Sequence, residues 1–260
     1  MDWLEALILG ILQGLTEFLP VSSSGHLELG KALLGIEAEK SLAFTVAVHG
    51  ATVLSTIVVF RKDLWNITRE TLRFRWNDST KFVAKILVSM IPVLILGLFF
   101  KEEIESFFTG NVVFVGSMLI VTSLLLASTT LIKQNKRKIN WLDSIIIGVA
   151  QAFAVLPGIS RSGATISTGL LLGNRREAVT RFSFLMVLIP IIGANLKDVV
   201  DGNMNTEGGV GVIPILIGFA AAFISGLFAC RWMIRIVNRG NLIYFAVYCM
   251  IIGLIAIIFG

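Results

Sequence analysis

The chain has 260 residues, 55% hydrophobic and only 15% charged, with a mean hydropathy of +0.85. A soluble domain is about 25% charged, so this chain lacks the polar surface to face water all round, which excludes disorder, a secreted disulfide scaffold and an ordinary cytosolic enzyme. The formal net charge of +5 points to anionic lipid or nucleic acid, and its distribution decides between them.

Met1–Leu19 opens with Asp2 and Glu5 instead of a basic region and is not expected to be a secretory signal peptide. Trp3–Gly35 is too long for one span of about 20 apolar residues and too short for two with a turn. Pro, Gly and Ser break it in the middle, which predicts a re-entrant hairpin. Spans are predicted over Ala43–Phe60, Phe82–Phe100 and Asn111–Ile132. A second interrupted stretch, Trp141–Gly173, predicts a second hairpin, and spans follow at Phe182–Leu196, Val212–Cys230 and Leu242–Phe259. Pro92 and Pro190 lie inside two spans and predict kinks. Cys230 and Cys249 sit in apolar runs and read as small buried hydrophobes, not as a disulfide or metal pair.

The connections Arg61–Lys81, Lys133–Trp141, Gly173–Arg181 and Arg231–Asn241 hold 16 of the 22 basic residues. Those around Glu37 and Glu39, around Glu102, Glu103 and Glu105, and around Asp198, Asp201 and Glu207 are acid-rich. The basic connections share one side only if each interrupted stretch returns to the side it entered. The first hairpin then opens outward, the second inward, and both termini lie outside. Basic loops mark the cytoplasmic side, so this charge is an anchor against anionic lipid, with no nucleic-acid partner. The expected fold is an all-α polytopic membrane protein, six transmembrane helices plus two re-entrant helical hairpins, forming one integral membrane domain over 1–260.

The two hairpins repeat. A shift of 138 residues aligns WLEALILGILQ from Trp3 with WLDSIIIGVAQ from Trp141, and Ser22, Ser24 and Gly25 with Ser160, Ser162 and Gly163. Apolar bias does not supply matching Trp, Gln, Gly and Ser. With opposite orientations, the halves, about 1–137 and 138–260, form an inverted-topology repeat, in which interrupted helices meet near the membrane midplane. The helix N-termini so exposed suit anionic ligands.

The polar residues gather at the tips. Gln13 and Glu17 are four apart and share a helix face, and a carboxylate in an apolar segment is a functional candidate by default. Ser22, Ser23, Ser24 and Gly25 supply hydroxyls and amides; His26 beside them suits acid–base or nucleophilic work, whereas His49, in an apolar run, reads as a satisfied core histidine. Arg161 is the one basic residue between Asp143 and Gly173. It seeks a bidentate oxyanion, either Glu17 or a phosphate, and Ser160, Ser162, Gly163 and Thr165 surround it with phosphate-type donors. One carboxylate with Gln, Ser and Thr oxygens suits Mg²⁺ or Ca²⁺ better than zinc, the cation arriving with substrate phosphates.

At these motifs the chain resembles the undecaprenyl-diphosphate phosphatases, the bacitracin-resistance type of membrane phosphatase. Their (E/Q)-x-x-x-E motif is Gln13 to Glu17, and P-G-x-S-R-S-x-x-T is Pro157 to Thr165, both complete; SSSGH ending at His26 matches the segment between them. The resemblance covers essentially the whole chain. It implies hydrolysis of undecaprenyl diphosphate to the monophosphate and phosphate at the outer face of the bacterial cytoplasmic (inner) membrane, dependence on Mg²⁺ or Ca²⁺, and bacitracin resistance. Gln13 stands where other members have Glu. The expected roles are substrate binding by Ser22, Ser24, Gly25, Ser160, Arg161, Ser162, Gly163 and Thr165, metal binding by Glu17 and Gln13, and catalysis by Glu17, Ser23, His26 and Arg161. The attacking group stays open between Ser23 activated by His26, His26 itself, and water activated by Glu17 or His26. A polyprenyl-phosphate transporter or flippase is the alternative activity, and a second copy of the chain is a further candidate partner.

Overall fold

The computed structural model describes residues 1–36, 42–105, 107, 111–132, 137–200 and 210–260. Two repeat-related helices begin the same way. Helix α1 (Trp3–Thr16) starts at a capping box of Asp2 and Glu5, and α8 (Trp141–Phe153) starts at one of Asn140 and Asp143. Each is then interrupted before a second, shorter helix, α2 (Ser23–Leu34) or α9 (Arg161–Leu171). Past α1, Pro20 precedes Val21 and disfavours helix at Leu19; past α8, Pro157 is followed by Gly158 at φ +97°, a region that favours glycine.

Between these pairs run α3 (Leu42–Val59), α4 (Arg61–Thr71), α5 (Asp78–Phe99), α6 (Lys101–Glu105) and α7 (Val112–Ser128), the last continued by a 3₁₀ turn at Thr129–Leu131. After α9 come α10 (Arg176–Met186), α11 (Leu188–Val200), α12 (Val212–Arg239) and α13 (Ile243–Phe259). Among the described residues there is no strand, only an isolated bridge between Arg137 and Asn174.

Helices α5, α7 with its 3₁₀ turn, and α12 are each long and apolar enough to cross a membrane, and α3 with α4 forms a further candidate, bent by 75°. The outer face of α5 shows why: Leu87, Ile91, Leu94, Ile95 and Leu98 are exposed, while Ile86, Ser89 and Met90 are buried. Polar side chains do the opposite, with Gln13, Ser55, Ser89, Ser144, Gln151 and Ser167 inside. Apolar outside and small or hydrogen-bonded inside is the arrangement a lipid solvent selects.

Helix boundaries depart from the sequence reading in three places. The expected span Phe182–Leu196 is divided between α10 and α11 at Val187. Pro190 has no N–H to offer the carbonyl of Met186, four residues back, and α10 stops there. Helix α12 overruns its predicted end at Cys230 to Arg239, stopping at Gly240, whose φ of +82° makes a left-handed C-cap. Within the basic stretch Arg61–Lys81 stands α4, whose Ile67 is buried in the hydrophobic core. Parts of the acidic connections, including Glu37, Glu39, Asp201 and Glu207, and of Lys133–Trp141, lie outside the described residues.

Helix α1 packs on α12, and α8 packs on α5. The repeat-related Gly10 and Gly148 make both approaches possible: a Cβ on Gly10 would stand 2.5 Å from the Gly218 carbonyl oxygen, and one on Gly148 2.3 Å from that of Ser89. Helix α1 of the first half thus leans on the second half, and α8 of the second half on the first. Helices α7 and α13 close at Gly116 and Gly253, where a Cβ on either would come within 2.8 Å of the other's carbonyl oxygen.

Candidate active site

The two interruptions face each other. Gly25 at the first tip sits against Gly158 at the second, with room for a Cβ only at 3.0 Å, and Ser162 Oγ donates to the Leu19 carbonyl at 3.3 Å. The short helices start on identical devices. Ser22 Oγ accepts from the Gly25 amide at 3.2 Å and Ser160 Oγ from the Gly163 amide at 3.0 Å. The Ser22–Ser24 and Ser160–Ser162 hydroxyl pairs are both 3.3 Å apart. Ser22 holds φ at +70°, an unfavourable conformation for a side-chain-bearing residue that clusters at functional sites. Thr122 of α7 fixes the second tip, donating to the Gly158 carbonyl at 3.0 Å and accepting from the Ser160 amide at 2.9 Å.

Glu17 stands between the tips. Its carboxylate is buried, and each oxygen is held: Oε1 accepts from Arg161 Nη2, and Oε2 accepts from Ser23 Oγ at 2.6 Å and from Gln13 Nε2 at 3.0 Å. Ser23 and Arg161 are equivalent under the 138-residue shift, each the first residue of its short helix. The repeat therefore delivers a hydroxyl and a guanidinium to the two sides of one carboxylate. A buried ion of this kind is tolerated because its lone pairs are met by charge-assisted donors.

Thr16, Glu17, Ser23, Ser24, Ser160, Arg161 and Ser162 line a cavity of about 190 Å³ with His49, Gln151, Val155 and Pro190. One water needs roughly 10–15 Å³, so the cavity admits a group of many atoms. Ser22, Gly25 and Gly163 do not line it; Ser22 caps the Gly25 amide, and Gly163 donates its amide to Ser160. Thr165 is turned away, donating to the Arg161 carbonyl at 2.8 Å and pairing with Ser183 Oγ at 2.6 Å. Gln13 is fully buried, and among the described residues its Oε1 has no hydrogen-bond partner; the repeat-related Gln151 Oε1 shares that condition.

The two histidines take unexpected places. His26 is buried between the Ser22 carbonyl, 2.8 Å from Nδ1, and Tyr248 Oη, 2.8 Å from Nε2. A carbonyl only accepts, so Nδ1 carries the proton and Nε2 accepts from the tyrosine. His49 lines the cavity, and its Nδ1 donates to the Thr45 carbonyl at 2.8 Å. Sequence reasoning missed His49, although Gln151 was within reach of the repeat alignment.

Fold and site together define an all-helical protein with membrane-spanning helices, built around a buried carboxylate–guanidinium centre where two broken helices meet. The chain belongs to a known family: the family model described as bacitracin resistance protein BacA matches residues 6–255. Among curated proteins, an undecaprenyl-diphosphatase of Christiangramia forsetii is 53% identical, the alignment covering 100% of this chain and 99% of the relative. One of Parabacteroides distasonis is 54% identical over 99% and 98%. The more distant undecaprenyl-diphosphatase 2 of Bacillus thuringiensis is 36% identical over 98% and 97%.

Proposed function

We propose that this protein hydrolyses undecaprenyl diphosphate to undecaprenyl phosphate and inorganic phosphate, recycling the lipid carrier for peptidoglycan synthesis. Full-length identity above 50% to undecaprenyl-diphosphatases supports the activity. The single structural observation behind it is Arg161 and Ser23 converging on Glu17 in a cavity walled by serine hydroxyls.

The incoming diphosphate exchanges places with Glu17 on the Arg161 guanidinium, since the planar fork suits phosphate and carboxylate alike. Ser23 then attacks the terminal phosphorus, its proton passing to Glu17 along the existing 2.6 Å hydrogen bond. The bond from that phosphorus to the bridging oxygen breaks, undecaprenyl phosphate leaves, and water attacks the phosphoserine to release phosphate and restore the hydroxyl. Arg161, Ser24, Ser160 and Ser162 hold the charge that develops. His26, with both nitrogens engaged, acts as a positioning residue for the Ser22 backbone. Gln13 Oε1, a buried hard oxygen beside Glu17 with no partner among the described residues, fits Mg²⁺ or Ca²⁺; Glu17 and Gln13 would hold the ion together with substrate oxygens. Such a cation supplies positive charge that offsets the diphosphate.

The topology we favour has six spans and two re-entrant pairs, α1–α2 and α8–α9, in an inverted repeat in the bacterial inner membrane, with the site open to the outer side. The exchanged packing of α1 on α12 and α8 on α5 supports it.

The test is phosphate release from polyprenyl diphosphate by purified protein, with and without EDTA. Release that EDTA abolishes and Mg²⁺ or Ca²⁺ restores is expected, with a phosphorylated species lost in Ser23→Ala. No release, together with movement of polyprenyl phosphate across proteoliposomes, would overturn the reading in favour of transport.

A further inference from the structure

A second cavity, of about 250 Å³, lies where α5, α8 and α10 begin. The cavity at the tips is lined by the other end of α8 at Gln151 and by Val93 of α5, the latter eight residues beyond Lys85, roughly 12 Å along the helix. Buried Ile86, Met90 and Ile147 occupy the same two helices between them. The second cavity is therefore no extension of the first.

Its lining is cationic: Lys81, Lys85, Lys138, Arg175 and Arg181, against Asp78 alone. Arg181 is paired with Asp63 at 3.0 Å, and Lys85 donates to the Ile139 carbonyl at 2.6 Å. Lys81, Lys138 and Arg175 have no ion pair among the described residues, and the buried Arg181 Nε has no hydrogen-bond partner. Three helix N-termini add their positive dipole ends. Asn77 caps α5 and Asn140 caps α8, but α10, with Arg175 at its N-cap position, has no side-chain cap, leaving its first-turn amides free of one. Clustered guanidinium and ammonium groups around an uncapped helix start constitute a phosphate site.

The lining also has an apolar part, Ile67, Phe82 and Phe182, with the Arg181 guanidinium 4.9 Å over the Phe82 ring. Beside it Trp76 and Trp141 stack with ring centroids 6.4 Å apart, and Lys85 lies 5.7 Å over the Trp141 ring. Trp76 and the neighbouring Phe74 are exposed, as residues at the membrane–water interface are. A ligand here has its phosphate among cations and its tail along an aromatic wall. We infer that this cavity binds the phosphate headgroup of an anionic membrane lipid, on the face opposite the tips. The inference does not rest on the phosphatase reading.

The test is native mass spectrometry of delipidated protein in detergent, titrated with phosphatidic acid, phosphatidylcholine or inorganic phosphate. One phosphatidic acid is expected to bind at least about tenfold more tightly than phosphatidylcholine. The triple variant Lys81→Gln, Lys138→Gln, Arg175→Gln, none of the three buried, is expected to lose roughly 100-fold in that affinity. The equally discharged control Arg231→Gln, Arg235→Gln, Arg239→Gln, on α12, should bind as wild type. Equal loss in both triple variants would show diffuse attraction and overturn the site, as would no preference for phosphatidic acid. Displacement of the lipid by millimolar inorganic phosphate would reassign the cavity to a soluble anion.

Discussion

At the scale of single residues, Glu17 is occupied on both oxygens before substrate arrives, and that occupancy separates stability from activity. Arg161→Ala leaves a buried carboxylate without its countercharge, a loss of about 3–5 kcal/mol. Its melting temperature in detergent should fall and phosphate release should vanish. Adding Glu17→Gln should restore the melting temperature and not the activity. Arg161→Lys keeps the charge and discards the planar fork, so a near-normal melt with kcat/KM down about 100-fold is expected; wild-type turnover would show that the fork is unused. A second prediction concerns Tyr248, an exposed residue whose hydroxyl donates to Nε2 of the buried His26. Tyr248→Phe removes that donor and should cost about 1–3 kcal/mol, with turnover reduced less than tenfold; loss of all activity in a well-folded variant would mean His26 takes part in the chemistry directly. The carboxylate, the serines and Arg161 were legible as a group because the repeat marks both tips. The places of the two histidines were not: neither the 222-residue separation of His26 from Tyr248 nor the direction His49 faces is written in local spacing.

At the scale of helices, close approach depends on missing side chains. Gly148 lets α8 lie against the backbone of Ser89 on α5, whereas Gly97, on the same α5, has nothing within 4 Å of a built Cβ. Gly148→Ala forces the helices apart and should cost about 1–3 kcal/mol, moving the Val93 and Gln151 walls of the cavity and lowering kcat. Gly97→Ala should leave activity unchanged and melt slightly higher, by about 0.5–1 kcal/mol, because alanine favours helix. Thermal melts of the two variants check this, and equal behaviour would sink the packing argument. Apolar runs located the helices well, since lipid tolerates few polar residues, but not their ends. Pro190 divides α10 from α11 while Pro92 sits inside an unbroken α5, and only neighbours decide which proline terminates a helix. Helix α12 runs on through Arg231 and Arg235 because those side chains are exposed, where charge stops a membrane span without stopping a helix.

For the whole molecule, one arrangement reconciles the charge, the repeat and the packing. If 16 of 22 basic residues face the cytoplasm, α1 and α8 enter from opposite sides, and a two-fold operation in the membrane plane exchanges them. That operation carries the α1–α12 contact onto the α8–α5 contact, which is the pairing seen, and brings the short helices together at Glu17. It also makes the site single: the shift that turns Ser23 into Arg161 turns Glu17 into Val155, so one carboxylate serves both tips. The arrangement is testable without altering the native cysteines, because Cys230 and Cys249 are fully buried and should not react. In intact cells a membrane-impermeant maleimide should label Glu102→Cys, in the acidic connection. It should label Arg73→Cys and Arg239→Cys, both exposed in basic connections, only after the membrane is opened. Labelling of all three from one side would break the two-fold relation, since α5, between Arg73 and Glu102, would then not cross.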